Sequence, residues 1–202
     1  MDRTLQYYEV NKERFAQDTA EADMGEIREA FLSLLPREAR ILDFGCGTGR
    51  DARFFKDKGH PVVAMDASAG MCALASGRLG QPVLQKRFQE LREKEAYQGV
   101  WACASLLHLP RTELTEVLAR VRDALADQGI LYMSFKYGEF EGIRDGRYFL
   151  DLKESALDEV LGETGGLTLQ RVWTSTDVRP GREREFWLNV LAKKEKKEMD
   201  LC

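Results

Sequence analysis

The sequence predicts an α/β fold, one mostly parallel β-sheet with helices on both faces and a single reversed strand near its edge. Three observations lead there. Short apolar segments alternate along the chain with longer segments of helical periodicity. The first of these apolar segments, Ile41-Leu42-Asp43-Phe44, runs directly into glycines at alternate positions, Gly45, Gly47 and Gly49, and then into a helix. Finally, the last two strand-like segments are joined by roughly ten residues containing Pro180 and Gly181, too few for a helical crossover, so the final strand must run antiparallel to the one before it.

At 202 residues and 44% hydrophobic, the chain suffices for one domain with a full core, expected over residues 1–193. Lys193-Lys194 and the charges after them read as a solvated tail over 194–202. A net charge of −4 disfavours an extended nucleic-acid footprint. The opening Met1-Asp2-Arg3-Thr4 lacks the apolar run of a signal peptide and no segment could span a bilayer, so a cytoplasmic protein without membrane partners is expected. Cys46, Cys72, Cys103 and Cys202 show no metal-binding spacing, and with only His60 and His108 no metal site is expected. Cys46, inside the glycine turn, reads as a small packing side chain rather than a reactive thiol.

Taken in order, Asp23 to Leu35 carries Ile27, Phe31, Leu34 and Leu35 on one helical face and stops at Pro36. After the first strand and the glycine turn, Arg50 to Lys58 is a helix closed by Gly59. Pro61 to Met65 is the second strand, ending in Asp66, and the helix opened by Ala67-Ser68-Ala69-Gly70-Met71 runs to about Leu79. Gln81 to Lys86 is the third strand, and Val100 to Ser105, apolar almost throughout, is the fourth. Arg111 to Leu125 is the clearest amphipathic helix, and Asp127-Gln128-Gly129 turns into the fifth strand, Ile130 to Lys136. A helix over Lys153 to Glu163 ends at Gly165-Gly166, and the last strands are Leu167 to Ser175 and Phe186 to Lys193.

A strand, a glycine turn and a helix N-terminus form a ligand cradle, because glycine admits a close approach and the first helical N–H groups point outward. The spacing is neither the dinucleotide G-x-G-x-x-G nor the triphosphate motif with Lys-Ser/Thr. Asp43 at the strand tip would repel a pyrophosphate and suits a ligand bearing an ammonium group, as S-adenosylmethionine does. Asp66 ends the next strand, where open α/β sheets bind ligands, and its two oxygens can accept from both hydroxyls of a ribose.

Asp43, the three glycines and Asp66 together resemble the signature of the class I S-adenosylmethionine-dependent methyltransferases, from about Tyr7 to Lys193. Tyr8 to Phe15, Leu107-His108 and Arg179-Pro180-Gly181-Arg182 before Phe186-Trp187-Leu188-Asn189 are similar to a widespread bacterial branch. The resemblance implies a Rossmann-like three-layer sandwich with a seven-stranded sheet of order 3-2-1-4-5-7-6 and strand 7 antiparallel. It also implies that residues 1–36 form a helical lid region. The expected cofactor contacts are Asp43, Gly45, Cys46, Gly47, Gly49, Asp66, Ala67, Ser68, Met71, Ala104 and, from the lid, Tyr8. Where relatives carry an acid against adenine this chain has Arg87, so the contact falls to Phe88 and its backbone N–H.

Methyl transfer from a sulfonium is a direct displacement that needs alignment and exclusion of water, with a base only if the acceptor arrives protonated. His108, past the fourth strand, has a suitable side chain for that base. Lys136, Arg147, Arg179 and Arg182 lie on loops at the same edge and suggest recognition of a small anionic acceptor. The expected protein is a monomeric or homodimeric methyltransferase acting on a small molecule. An RNA or protein methyltransferase, a catalytically silent S-adenosylmethionine-binding regulator and an NAD-dependent oxidoreductase remain as alternatives.

Overall fold

The computed structural model describes residues 3–20 and 22–196. In chain order the elements are α1 (Arg3–Ala20), α2 (Gly25–Leu32), β1 (Ile41–Phe44), α3 (Arg50–Asp57), β2 (Val62–Asp66), α4 (Ala69–Leu79), β3 (Leu84–Gln85) and β4 (Tyr97–Ala102). There follow α5 (Arg111–Ala124), β5 (Leu125–Lys136), β6 (Glu141–Arg144), β7 (Arg147–Leu150), α6 (Glu154–Thr164), β8 (Leu167–Thr176) and β9 (Phe186–Lys194). The central sheet has seven strands in the order β3-β2-β1-β4-β5-β9-β8. With the two hairpin strands β6 and β7 left out of the count, this is the expected order 3-2-1-4-5-7-6. All pairs from β3 to β5 are parallel, and β9 is antiparallel to both β5 and β8.

Alternation along the strands sorts the core into two layers. Leu42, Phe44, Val100, Leu131, Met133 and Val190 face a core shared with Leu114, Val117 and Leu118 of α5 and with Leu157 and Val160 of α6. Ile41, Trp101, Ile130, Tyr132 and Leu191 face the opposite layer, with Phe31 of α2 and Phe55 of α3. Trp101 stacks on Tyr132 with ring centroids 4.0 Å apart. Helices on both faces bury the central strands β1 and β4 almost along their whole length, which explains why those strands read as continuous apolar runs.

Several boundaries differ from the sequence expectation. The helix expected over Asp23 to Leu35 ends at Leu32, where tight turns follow from Leu34 N–H to Phe31 O and from Leu35 N–H to Leu32 O; Leu34 is 46% exposed rather than on the buried face. The third strand shrinks to Leu84–Gln85 because the Gln81 side chain, not its backbone, donates to Val62 O (2.8 Å). β4 begins at Tyr97 and ends at Ala102, since Ala104 takes a left-handed backbone (φ 50°) and its N–H turns to Ser134 Oγ (2.9 Å). Asp127-Gln128-Gly129, expected as a turn, is an irregularity inside β5, which already pairs with Tyr97 at Leu125. Lys194 is no part of a solvated tail: it lies in β9, is buried, and its Nζ donates to Leu125 O (2.6 Å). The remainder of the expected tail from Lys197, with Cys202, lies outside the described residues. The β6–β7 hairpin was not anticipated, although its Asp145-Gly146 turn (φ 50° and 78°) is a strong hairpin signal.

Candidate functional site

The C-terminal ends of β1, β2 and β4 open into one cavity of about 280 Å³ that continues past His108 to the ends of β5, β7 and β9. Helix α1 lies across it. Tyr148 N–H donates to Thr4 Oγ (2.9 Å), Glu9 accepts from Gly70 N–H at the start of α4 (3.2 and 3.3 Å), and Arg50 Nη1 donates to Thr19 O (3.2 Å). The Ser68 hydroxyl and the Gly70 N–H hold the Glu9 carboxyl below its ordinary range.

In one half of the cavity the glycine turn is built for close approach. Gly45 has φ 87°, and a Cβ there would lie 2.5 Å from Ser105 Cβ and 3.2 Å from Phe88 Cζ. Ser105 is fixed in that place by its hydroxyl, which donates to Phe44 O (2.7 Å). Asp66 Oδ2 accepts from Gly47 N–H and Oδ1 from Ser68 N–H, both at 2.9 Å, which locks the tip of β2 to the glycine turn. With the Ala67 N–H also bonding to it, the carboxylate retains acceptor capacity for a further donor. Ser68 also caps α4 by accepting from Met71 N–H (3.0 Å). Cys46, Gly47, Ala67, Met71, Phe88 and Ala104 line the same half. Gly49 does not: at φ 75° it caps α3, and a Cβ there would lie 3.0 Å from Ala75 Cβ, so this glycine serves the packing of α3 on α4.

Asp43 is buried, with Oδ2 accepting from Ala52 N–H (3.0 Å). Burial, and then the charge of Asp51, push its carboxyl well above the usual range. The Arg50 charge offsets this only in part, and Asp43 forms no ion pair among the described residues, so it fits a ligand that brings an ammonium group. Gly45, where a Cβ has no room, leaves bare backbone at the cavity wall and fits one that packs against backbone. Both are features of S-adenosylmethionine.

Asp51 beneath the site was not singled out in the sequence. It accepts from Arg28 Nε (2.9 Å), Arg50 Nε (2.9 Å) and Trp101 Nε1 (2.9 Å), and its side chain is 8% exposed. Burial pushes this carboxyl up, but Arg50, Arg28 and Trp101 together hold it below its ordinary value. A signal was present, because Arg28 falls between Ile27 and Phe31 on the buried face of its helix and a buried arginine needs an acid.

In the other half, the four cations expected to recognise an anion separate into different roles. Asp177, 2% exposed at its side chain, accepts from Arg179 Nε (2.8 Å) and Nη2 (2.6 Å), from Lys136 Nζ (3.0 Å) and from Trp187 Nε1 (3.0 Å). Lys136 also pairs with Glu185 (2.6 Å). Lys136 and Arg179, expected as anion-binding groups, form an internal clamp that ties the 177–185 loop to β5, and each already faces a carboxylate. Arg182 lines the cavity and lies 3.5 Å from Glu185 at the surface. Arg147 forms no ion pair among the described residues. Its guanidinium lies over the rings of Tyr7 (4.6 Å) and Phe149 (4.9 Å), and its Nε is buried with no hydrogen-bond partner.

His108, expected as the base, has both ring nitrogens hydrogen-bonded. Its Nδ1 donates to Tyr148 O (2.7 Å), so in the neutral ring Nε2 accepts, and it accepts from Tyr8 O–H (2.8 Å). Tyr8, expected at the cofactor, lies between His108 and Arg147 Nη1 (3.5 Å). Burial pushes its phenol up.

The clamp makes a pH prediction. Burial pushes Asp177 up, but hydrogen bonds from Arg179 and Lys136 hold it well below the usual carboxylate range. A depressed folded value contributes stability that is present above the unfolded value, about 3.9, and is lost as pH falls below it toward the folded one. The melting temperature should therefore drop below about pH 4, and Asp177→Asn should flatten part of that drop. An identical acid limb in the variant would remove Asp177 as a contributor.

A methyltransferase-domain family model matches residues 41–129. The putative methyltransferase YqeM of Bacillus subtilis is 33% identical over 117 residues, which cover 52% of this chain and 47% of that protein. The chain therefore spans about half the length of that curated relative. Among solved structures, the 1,6-didemethyltoxoflavin-N1-methyltransferase of Burkholderia thailandensis with bound S-adenosylhomocysteine superposes with a TM-score of 0.74, at 23% identity, over 95% of this chain and 90% of that one. The magnesium protoporphyrin IX methyltransferase of Synechocystis PCC 6803, also with S-adenosylhomocysteine, gives 0.71 at 17% identity, over 94% and 97%. These likenesses establish a common fold.

Proposed function

We propose that this chain, which belongs to the class I S-adenosylmethionine-dependent methyltransferases, transfers the methyl group of S-adenosylmethionine to a small anionic molecule. When bound, the cofactor supplies an electrophilic methyl group on a sulfonium. Asp66 would accept from the ribose hydroxyls, Asp43 would face the ammonium, and Gly45 would let the backbone approach the methionine part. Ala67, Met71, Phe88 and Ala104 would enclose the adenosine. The roof formed by α1 would keep water from the reacting pair.

The observation that carries the anionic acceptor is Arg147, a cation facing the cavity with no carboxylate partner among the described residues and one buried N–H unused. A buried donor without an acceptor costs free energy that an incoming anion would recover. Relatives of the same fold act on small molecules, as their names state. The test uses Arg147→Gln with tritiated S-adenosylmethionine and the low-mass fraction of a bacterial extract at limiting acceptor. Loss of a charge-assisted pair, about 1.5–3 kcal/mol, should lower transfer at least about tenfold, while the affinity for S-adenosylhomocysteine stays unchanged. Wild-type transfer by the variant would contradict the assignment of Arg147.

A further inference from the structure

We propose that the methylated atom is an oxygen of a carboxylate, so that the acceptor group held by Arg147 is also the group that reacts. This inference rests on the methyl-transfer reading above and narrows it. The first observation is Arg147 itself. Its planar, always-charged fork is caged by Tyr7 and Phe149 and carries an unused Nε–H, the donor geometry that a two-oxygen anion meets.

The second observation is that, among the described residues, the acceptor half holds no side chain placed to remove a proton directly. Both ring nitrogens of His108 are engaged, one by Tyr148 O and the other by the Tyr8 hydroxyl. Tyr8 spends its own proton on His108, and Tyr132 donates its own to Asn189 Oδ1 (2.8 Å). Asp177 is surrounded by Arg179, Lys136 and Trp187, which makes it a poor base. The Cys103 thiol is pushed up to about 12 by burial and by the charge of Asp51. On the cofactor side, both oxygens of Asp66 accept backbone N–H groups, Asp51 is paired with arginines, and Asp43 accepts from Ala52 N–H in the first turn of α3.

An alcohol or amine must shed a proton as the methyl group arrives, and this half of the cavity gives that proton no direct destination. A carboxylate needs none. A lone pair on its oxygen forms the new C–O bond while the methyl–sulfur bond breaks and leaves its electron pair on sulfur. The products are a methyl ester and S-adenosylhomocysteine, with no proton released. A relay in which the acceptor gives its proton to Tyr8 and Tyr8 gives its own to His108 is the competing arrangement.

The deciding experiment follows the label. Protein is incubated with methyl-tritiated S-adenosylmethionine and the low-mass fraction of a bacterial extract, and the product is treated with mild alkali. A methyl ester releases its label as volatile methanol, and that release, with a rate that shows no acidic limb between about pH 6 and 9, is the expected result. Label that resists alkali, as an N-methyl or ether group does, overturns the inference and leaves the methyl-transfer reading intact. If formation of that stable product also collapses in His108→Gln, the relay is assigned instead. No label on any acceptor from a protein that binds S-adenosylmethionine overturns the transfer reading and this inference with it.

Discussion

In Gly45→Val, binding of S-adenosylmethionine is expected to fall by at least about a hundredfold, a loss of about 2.7 kcal/mol or more. The backbone there is at φ 87°, a conformation that a β-branched residue adopts only at a cost of about 1–3 kcal/mol. Space is the larger obstacle. The first added carbon would sit 2.5 Å from Ser105 Cβ, and Ser105 cannot yield without breaking its hydrogen bond to Phe44 O. Gly47, expected with Gly45 as a cofactor contact, has more room. A Cβ there would meet only Phe15 Cε1 at 3.7 Å, an ordinary contact, so although alanine is strained at its φ of 53°, Gly47→Ala should retain the fold and lose less affinity than Gly45→Val. Calorimetry on both variants checks this, and equal affinities would contradict the geometry of the turn.

Asp51→Ala is expected to be the most destabilising single change in the site. It leaves Arg28 buried without its carboxylate and deprives Arg50 and Trp101 of a partner. Removing one partner of a buried ion pair costs about 3–5 kcal/mol. For a chain of this size that lowers the melting temperature by roughly 6–20 °C. Because Asp51 lies beneath the cavity and raises its neighbour Asp43, cofactor affinity is a second readout. A melting temperature within about 2 °C of wild type would show that the cluster contributes little.

The sheet and the cofactor half of the cavity were legible because their signals are local. The run from Ile41 to Arg50 encodes strand, turn and helix in ten consecutive positions, and Asp66 follows from the place where the next apolar run stops. Charge pairing was not legible. Lys136 and Asp177 stand 41 residues apart in sequence, and only the antiparallel return of β9 brings their loops together. Counting arginines therefore overstated the free positive charge, which the structure reduces largely to Arg147. The hairpin that carries Arg147 has its turn signal in Asp145-Gly146, but its flanking segments are only four residues each, with Glu141, Arg144 and Arg147 among them, and did not read as strands. His108 lay where the sequence placed it. Its engagement by Tyr8 depends on α1 packing across the sheet edge, a contact that spans 100 residues and has no local signature.

The central claim is that the cavity at the tips of β1 and β2 holds S-adenosylmethionine through Asp66. Titration of the wild-type protein and of Asp66→Ala with S-adenosylmethionine, by calorimetry and with NAD as the control ligand, tests it most directly. Each charge-assisted bond is worth about 1.5–3 kcal/mol before water replaces part of it. The account predicts binding to the wild type, affinity at least about tenfold weaker in the variant, and no binding of NAD to either. Equal affinity in Asp66→Ala, or binding of NAD in place of S-adenosylmethionine, would contradict it.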